Sequence, residues 1–503
     1  MNQDDILAKP ALPSFISAVA LLIVTAFFFL HPVGTSDLFW QIKTGEIIWQ
    51  THSIPRTDIF SFTAFGNAWI NHEWLAEVIF YLIWRLGGFV ALSFFSFLLG
   101  VSFAACLFIG IRKLSGSVTL GLLLSFAVFL VGAPRFQQLR PDLFAFLFFV
   151  AMLLLLSTAD RLHAKRLWML IPAQLFWSNI HGSAIIAPFF ILLYGITALA
   201  DARIHKEPPP FKVGQFTAIV LLSYMTLLAN PYTVEAYLFP FTHLLQRYAI
   251  LATLDWRAPT WFAPQADIAS WGLALLALAF ILVVIRRPKQ VRLPLLVTTT
   301  ICFIAGFRMM RFVPFAATSA AFLLAASVDR NVISRSQRIQ LVRIAVLILC
   351  LGVPILANSY GPFYGIRPEK GRLDFVFGLP MGIGLDEIDF PVGAVDFLED
   401  KNLKGRVFND MAYGGYLIFR QWPEEGVFFD TRTPIYGDQF YQEYVSALRN
   451  EKMFDDIVER YDITCVLYDM RQIKETGELE FLFNNPHWRL IYESDNAVIF
   501  IKI

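Results

Sequence analysis

Charge is what this chain of 503 residues has least of: Asp, Glu, Lys and Arg make up 16% of it and hydrophobic residues 56%, where soluble proteins carry about 25% charge. That balance excludes an ordinary soluble fold and marks a polytopic membrane protein. The formal net charge is only +1, and the basic residues fall in short clusters between apolar runs, so the broad positive face that nucleic acid requires is missing. Cysteine is equally sparse. Cys106, Cys302, Cys350 and Cys465 are widely separated, three lie in apolar runs, and no CxxC or zinc-type spacing exists, which argues against disulfides and a cysteine-held metal. The opening "MNQDDILAKPALPSFISAVALLIVTAFFFL" has acids before its apolar core and no small-residue cleavage site, and reads as a retained helix rather than a signal peptide. No internal repeat is found, and "AYGGYL" around Gly414 and Gly415 lacks the spacing of a phosphate or dinucleotide loop.

What is present is a succession of apolar segments. About 20 such residues span a bilayer, fewer where helices pack together, and the chain offers about eleven candidates, near 13–31, 87–110, 117–133, 142–158, 167–180, 183–200, 214–230, 269–285, 293–306, 312–328 and 341–358. Alternate links hold most of the cations: Arg112 and Lys113; Arg161, Lys165 and Arg166; Arg203, Lys206 and Lys212; Arg286, Arg287, Lys289 and Arg292; Arg330, Arg335, Arg338 and Arg343. The positive-inside rule puts those links, and the N-terminus, in the cytoplasm. The loop 32–86 and everything after the last span are then expected outside. From about residue 359 the character changes: "GRVFND", "GVFFD", "ITCVLYD", "WRLIYE" and "AVIFIKI" read as strands, "DQFYQEYVSALRN" and "MFDDIVERY" as helices. We expect a membrane domain over 1–358 and a soluble external α/β domain over 359–503.

Most span interiors lack ionisable residues, whereas ion-coupled carriers keep them near the midplane, so a secondary transporter is disfavoured. Polar residues gather instead at the expected outer ends: Asp37, Arg135, Arg140, Asp142, Asn179, His181, Asn230, Arg308 and Arg311. An outer-end Arg can simply snorkel to headgroups. Four of them, Arg135, Arg140, Arg308 and Arg311, on the side that should be depleted in cations are unusual, and a bound phosphate, which Arg grips in bidentate fashion, is the alternative reading. "FRMMRF" would set Arg308 and Arg311 at i and i+3 on one helical face.

The first external loop opens with "SDLFWQIKTGEIIWQTHSIPRTDIFSFT". Leu38, Phe39, Ile42, Ile47, Ile48 and Trp49 recur at a helical period, which predicts an amphipathic interfacial helix with Asp37 near its N-cap. Capping is therefore the plain role for Asp37. "EWLAEVIFYLIWRLGG" predicts a second interfacial helix running into the next span. Together with "NHEWLAEVIFYLIWRLGG", this loop resembles the first external loop of GT-C glycosyltransferases, especially bacterial proteins similar to dolichyl-phosphate-mannose-protein mannosyltransferases. The later "RFQQLRPDLFAFLF" and "GRVFNDMAYGGYLIFRQWPEEGVFFDTRTPIYGDQFYQEY" resemble recurring segments of bacterial proteins with this architecture.

The resemblance implies an enzyme of the bacterial inner membrane that moves a sugar from a polyprenyl-phosphate donor to a glycan, lipid or protein acceptor at the external face. An acid in the first loop, here Asp37, serves such enzymes as general base or organises a metal, and the leaving lipid phosphate needs cations, here Arg135, Arg140, Arg308 and Arg311. His72 beside Glu73 forms a second acid/base candidate or a helix cap with an interfacial Trp; Asp142 and His181 are further candidates, His181 as a phosphate or sugar ligand or a helix cap. Several relatives carry two adjacent acids where this chain has Ser36 and Asp37. No cofactor is therefore expected, although Asp58, Glu73 and Asp142 offer oxygens to a divalent cation. In the late domain, Asp430, Arg432 and Asp438 follow an expected strand and form either a ligand loop or charged turn residues with Arg432 paired to Asp430. Two other classes stay open: a lipid-linked glycan polymerase, ligase or flippase component, using Glu235, His243, Arg247, Asp255 and Arg257 of 231–268, and a non-catalytic anchored recognition protein.

Overall fold

The computed structural model describes residues 14–160, 162–243, 256–259, 268–328, 382–387 and 389–503. Its first part is a helical bundle: α1 (Ser14–Phe29), α2 (Ser36–Thr51), α3 (Trp74–Ser115), α4 (Val118–Phe136), α5 (Asp142–Ser157), α6 (Leu170–Ile180), α7 (Ile186–Ile204) and α8 (Val213–Leu227), with helices Ile268–Arg286, Leu293–Arg308 and Val313–Ala326 behind them. Three helical stretches, Trp74–Ser115, Val118–Phe136 and Gly182–Ile204, are long and apolar enough to cross a membrane, and six shorter apolar helices accompany them. Ten of the expected spans coincide with helices. The eleventh, 341–358, lies outside the described residues, so the count of eleven is not established. Phenylalanine fills the bundle: Phe28, Phe29, Phe129 and Phe136 are fully buried and stack or meet edge to face at 5.3–5.7 Å.

The two helices of the first loop form as the sequence leads one to expect, with two differences. The N-cap of α2 is Thr35, whose hydroxyl accepts from Leu38 N at 3.3 Å, so Asp37 sits in the first turn and does not cap the helix. Nor does α2 lie open at an interface: Leu38, Phe39, Trp40, Gln41, Ile42, Thr44, Gly45 and Ile48 are buried, between α3 on one side and the helix Met411–Gln421 of the late domain on the other. The second interfacial helix and the next span are one long helix, α3, bent where Gly87 and Gly88 leave helical geometry. Gly88, at φ 63° and ψ −151°, adopts a conformation that side chains do not tolerate.

The late domain is an α/β layer. Strands β1 (Arg406–Asn409), β2 (Ile463–Tyr468), β3 (Trp488–Glu493) and β4 (Val498–Lys502) form one sheet in the order β1-β2-β4-β3. β1 and β2 are parallel, and the other two pairings are antiparallel. "GVFFD" does not join this sheet. Val427 pairs instead with the first loop, donating its N–H to Phe60 O at 3.0 Å and accepting from Phe62 N at 3.1 Å. Loop and domain accordingly share one core, in which Phe39 lies 4.6 Å from Phe390 and 5.0 Å from Tyr416.

That shared core accounts for the paired glycines of "AYGGYL". A Cβ built on Gly415 would stand 2.1 Å from the carbonyl oxygen of Ser36, and one on Gly414 would stand 2.1 Å from that of Phe429. Both obstacles are backbone and cannot turn aside. Gly415→Ala should therefore weaken the docking of the domain on α2 by about 1–3 kcal/mol. Thermal unfolding of the detergent-solubilised protein should show a lowered midpoint; an unchanged midpoint would mean that the two helices can separate without cost.

Candidate active site

The beginning of α2, the beginning of α3, the link from α4 to α5 and the link from α6 to α7 meet at one end of the bundle. Each contributes a charged or titratable group. Asp37 reaches Arg140 across 3.4 Å, both side chains being about a quarter exposed (21% and 24%). Arg135, in the last turn of α4, forms a buried ion pair with Asp142 at the start of α5. The sequence segment "RFQQLRPD" thus supplies two guanidinium groups and one carboxylate to the same place.

Glu73, just before α3, is the centre of a second group. Its Oε1 lies 3.5 Å from His181 Nε2 and 3.7 Å from His72 Nε2, and its Oε2 accepts from Gln41 Nε2 at 3.3 Å. His181 Nδ1 accepts from the Ser183 backbone N–H at 3.2 Å and faces the Ser183 hydroxyl at 2.6 Å. The ring hydrogen therefore belongs on Nε2, directed at Glu73. The capping role of His181 is seen: Nδ1 caps the turn at Gly182, while Nε2 faces Glu73. Burial and the neighbouring Arg311, His72 and Arg135 hold His181 well below the usual histidine range.

Burial first, then repulsion from Asp37 and Asp142, pushes the Glu73 carboxyl up to about 8, while Arg311 and Arg140 pull the other way. The two groups thus share one electrostatic field. With Glu73 neutral, Arg135, Arg140 and Arg311 stand against the carboxylates of Asp37 and Asp142, which leaves one positive charge in surplus.

Two expectations need correction. Arg308 and Arg311 do not lie on one helical face: the helix ends at Arg308, Met309 is extended at φ −149° and ψ 128°, and Arg311 belongs to a separate turn, Met310–Phe312. Arg311 lies 4.1 Å from the centre of the Trp256 ring, while Arg308 is exposed. Asp58 is no ligand beside Glu73. It is fully buried 2.8 Å from Arg432, which also pairs with Asp430 at 2.6 Å. Of the segment 231–268, Arg247 and Asp255 lie outside the described residues, and the Arg257 carbonyl accepts from Met310 N at 2.9 Å.

Three participants were not singled out from the sequence. Gln41 and Trp40 stand four and three positions after Asp37, on its side of α2, a relation that helical spacing could have revealed. Thr431 could not have been found so. Its hydroxyl donates to Asp37 Oδ1 at 2.5 Å and accepts from Trp40 Nε1 at 3.1 Å, across a separation of more than 390 residues.

The fold has solved relatives. It is similar to archaeal oligosaccharyltransferase AglB from Archaeoglobus fulgidus in complex with an inhibitory peptide and a dolichol-phosphate (TM-score 0.55, 11% identity, 97% of this chain and 74% of that one). The same protein in complex with Zn and sulfate gives 0.54 at 12% identity, over 97% of this chain and 73% of that one. ArnT from Cupriavidus metallidurans bound to undecaprenyl phosphate gives 0.50 at 11% identity, over 97% and 98%. No family model matches the chain, and no curated protein matches it. The fold of this chain is the one seen in AglB and ArnT.

One of these similar structures contains Zn. Among the described residues no group of three His, Cys, Asp or Glu is placed to hold a metal ion. Asp142 is committed to Arg135, and Asp37 to Thr431 and Arg140. The arrangement does not fit a divalent cation.

Glu73 makes a pH-dependent contribution to stability whose sign is fixed. Its folded value of about 8 lies above the ordinary 4.5, so the folded state holds the proton more tightly. The contribution is fully present below about pH 4.5, declines as the pH rises, and is lost above about pH 8. Unfolding midpoints measured across this window should fall with pH in the wild type and fall less in Glu73→Gln; parallel curves would show that Glu73 is not held neutral.

Proposed function

We propose that this protein is an integral-membrane glycosyltransferase that moves a sugar from a polyprenyl-phosphate-linked donor to a glycan, lipid or protein acceptor at the external face of a bacterial inner membrane. The division expected from the sequence is kept: a membrane domain over 1–358 with a cytoplasmic N-terminus, and an external domain over 359–503. The observation that carries the reading is Asp37. On a GT-C fold, its carboxylate stands in the first turn of α2 without capping the helix, and faces Arg140 at 3.4 Å.

In this reading Asp37 takes the proton from the acceptor hydroxyl as the anomeric carbon is attacked. The departing lipid phosphate is met by guanidinium groups, which suit its oxygens in charge and shape. Arg140, which faces Asp37 Oδ2 at 3.4 Å, stands beside the acid and is assigned to the departing phosphate. Arg311 is assigned the same task. Arg135 fixes Asp142 and adds its field, and exposed Arg308 helps to draw the anionic donor to the site. Neutral Glu73, with His72, His181 and Gln41, lines the sugar-binding side and leaves the surplus positive charge undiminished. Solved relatives bound to dolichol-phosphate and undecaprenyl phosphate support a lipid-phosphate ligand.

The test compares cell-envelope glycans and polyprenyl-phosphate sugars by mass spectrometry in strains carrying wild-type protein, Asp37→Asn or no protein. Deletion should remove one sugar addition and accumulate its lipid-linked donor. Asp37→Asn at normal abundance should reproduce both, with turnover lowered by about 100-fold or more. Wild-type glycans in Asp37→Asn would remove Asp37 from the chemistry.

A further inference from the structure

We propose that Thr431, on the late domain, is a positioning residue for Asp37, so that this domain completes the reaction site instead of merely standing beside it. The inference rests on the glycosyltransferase reading given above and adds a residue and a domain to it.

The geometry decides which way the Thr431 hydroxyl points. An indole N–H can only donate, and Trp40 Nε1 directs its hydrogen at Thr431 Oγ1 from 3.1 Å. The hydroxyl therefore receives on that side and has its own hydrogen left for Asp37 Oδ1, 2.5 Å away. Asp37 and Trp40 are three residues apart on α2 and project to the same side, so one hydroxyl ties the acid to a neighbour on its own helix. A β-branched side chain such as threonine also has few rotamers to choose from.

The backbone that carries Thr431 is held with equal firmness. Before it, Asn409 Nδ2 donates to Phe429 O at 2.7 Å and Asn409 Oδ1 accepts from Phe428 N at 3.0 Å. After it, Arg432 donates its backbone N–H to Asp430 Oδ1 at 2.8 Å, while its guanidinium lies between Asp430 and Asp58 and 4.7 Å from the centre of the Trp69 ring. Thr431 itself is only half-buried. A group fixed on both sides yet reachable from solvent is placed to hold one oxygen of Asp37 and leave the other toward Arg140 and an incoming acceptor. Loss of this charge-assisted bond would let the carboxylate turn, and a bond of that kind corresponds to about 10- to 100-fold in rate.

The experiment uses the full-length protein in the deletion strain, each variant expressed to equal abundance, with the rate of sugar addition to the cell-envelope glycan as readout. Thr431→Val keeps the shape and removes the hydroxyl; it should lower the rate by about 10- to 100-fold. Thr431→Ser returns the hydroxyl and should recover most of it, which a purely structural threonine would not require. Trp40→Phe keeps an aromatic ring in the shared core but removes the N–H that orients the Thr431 hydroxyl, and should slow the reaction several-fold. A Thr431→Val rate equal to or above wild type overturns the proposal, the latter case making Thr431 an obstruction at the acceptor position. If Thr431→Val fails to accumulate, Trp40→Phe decides, an unchanged rate overturning the proposal. Asp37→Asn in the same strain separates the two levels: if it is inactive while Thr431→Val is normal, only the positioning role falls, and if it is active the transferase reading falls as well.

Discussion

The buried guanidinium of Arg432 is the point on which the two halves of the molecule depend. Arginine does not give up its proton inside a protein, so once enclosed it must be matched. Asp430 of the late domain and Asp58 of the first loop supply two carboxylates, and together they more than offset the burial that works against the charge. The rings of Trp69 and Phe60 close over it at 4.7 and 4.9 Å. Removing Arg432 itself would leave both fully buried carboxylates without their cation, a cost of about 3–5 kcal/mol. The first loop is thereby fixed to the domain, and α2, which carries Asp37, is fixed with it.

A second constraint operates where the helices converge. Three acids and three arginines are crowded into a region with little water, and they cannot all be treated as exposed surface charges. Two acids find guanidinium partners, while Glu73 has two histidine rings and an amide as its nearest polar neighbours and is driven toward the neutral form by burial. This is a division of labour set by environment among chemically similar groups. It leaves the carboxylates of this region outnumbered by guanidinium groups.

Much of this was legible in the sequence because the relevant signals are local. Periodicity marked α2, Trp74–Leu86 and the helices Gly437–Ala447 and Glu451–Tyr461, and short β-rich runs marked all four strands. Polar residues at helix ends named Asp37, Arg135, Arg140, Asp142, His181 and Arg311, which do converge. The failures have a common cause in tertiary contact. "GVFFD" has the composition of a strand but pairs with the first loop, and Asp58 looked like a spare ligand until Arg432 claimed it. "FRMMRF" has helical spacing, but extended Met309 breaks it. Thr431 carries no local sign at all, because its partners stand at the opposite end of the chain.

That distance has a consequence for how the molecule is made. The first loop emerges early in synthesis with Phe39, Trp40, Phe60 and Trp69 ready for burial, yet the residues that cover them, Phe390, Tyr413, Tyr416 and Leu417, are added only after the whole bundle. During that interval the loop carries an apolar face that must rest on lipid or on a chaperone. Nascent chains therefore pass through a long stage in which the membrane helices are in place and the acid is present but not yet held. The contact of Thr431 with Asp37 forms only after all the helices of the bundle have been made.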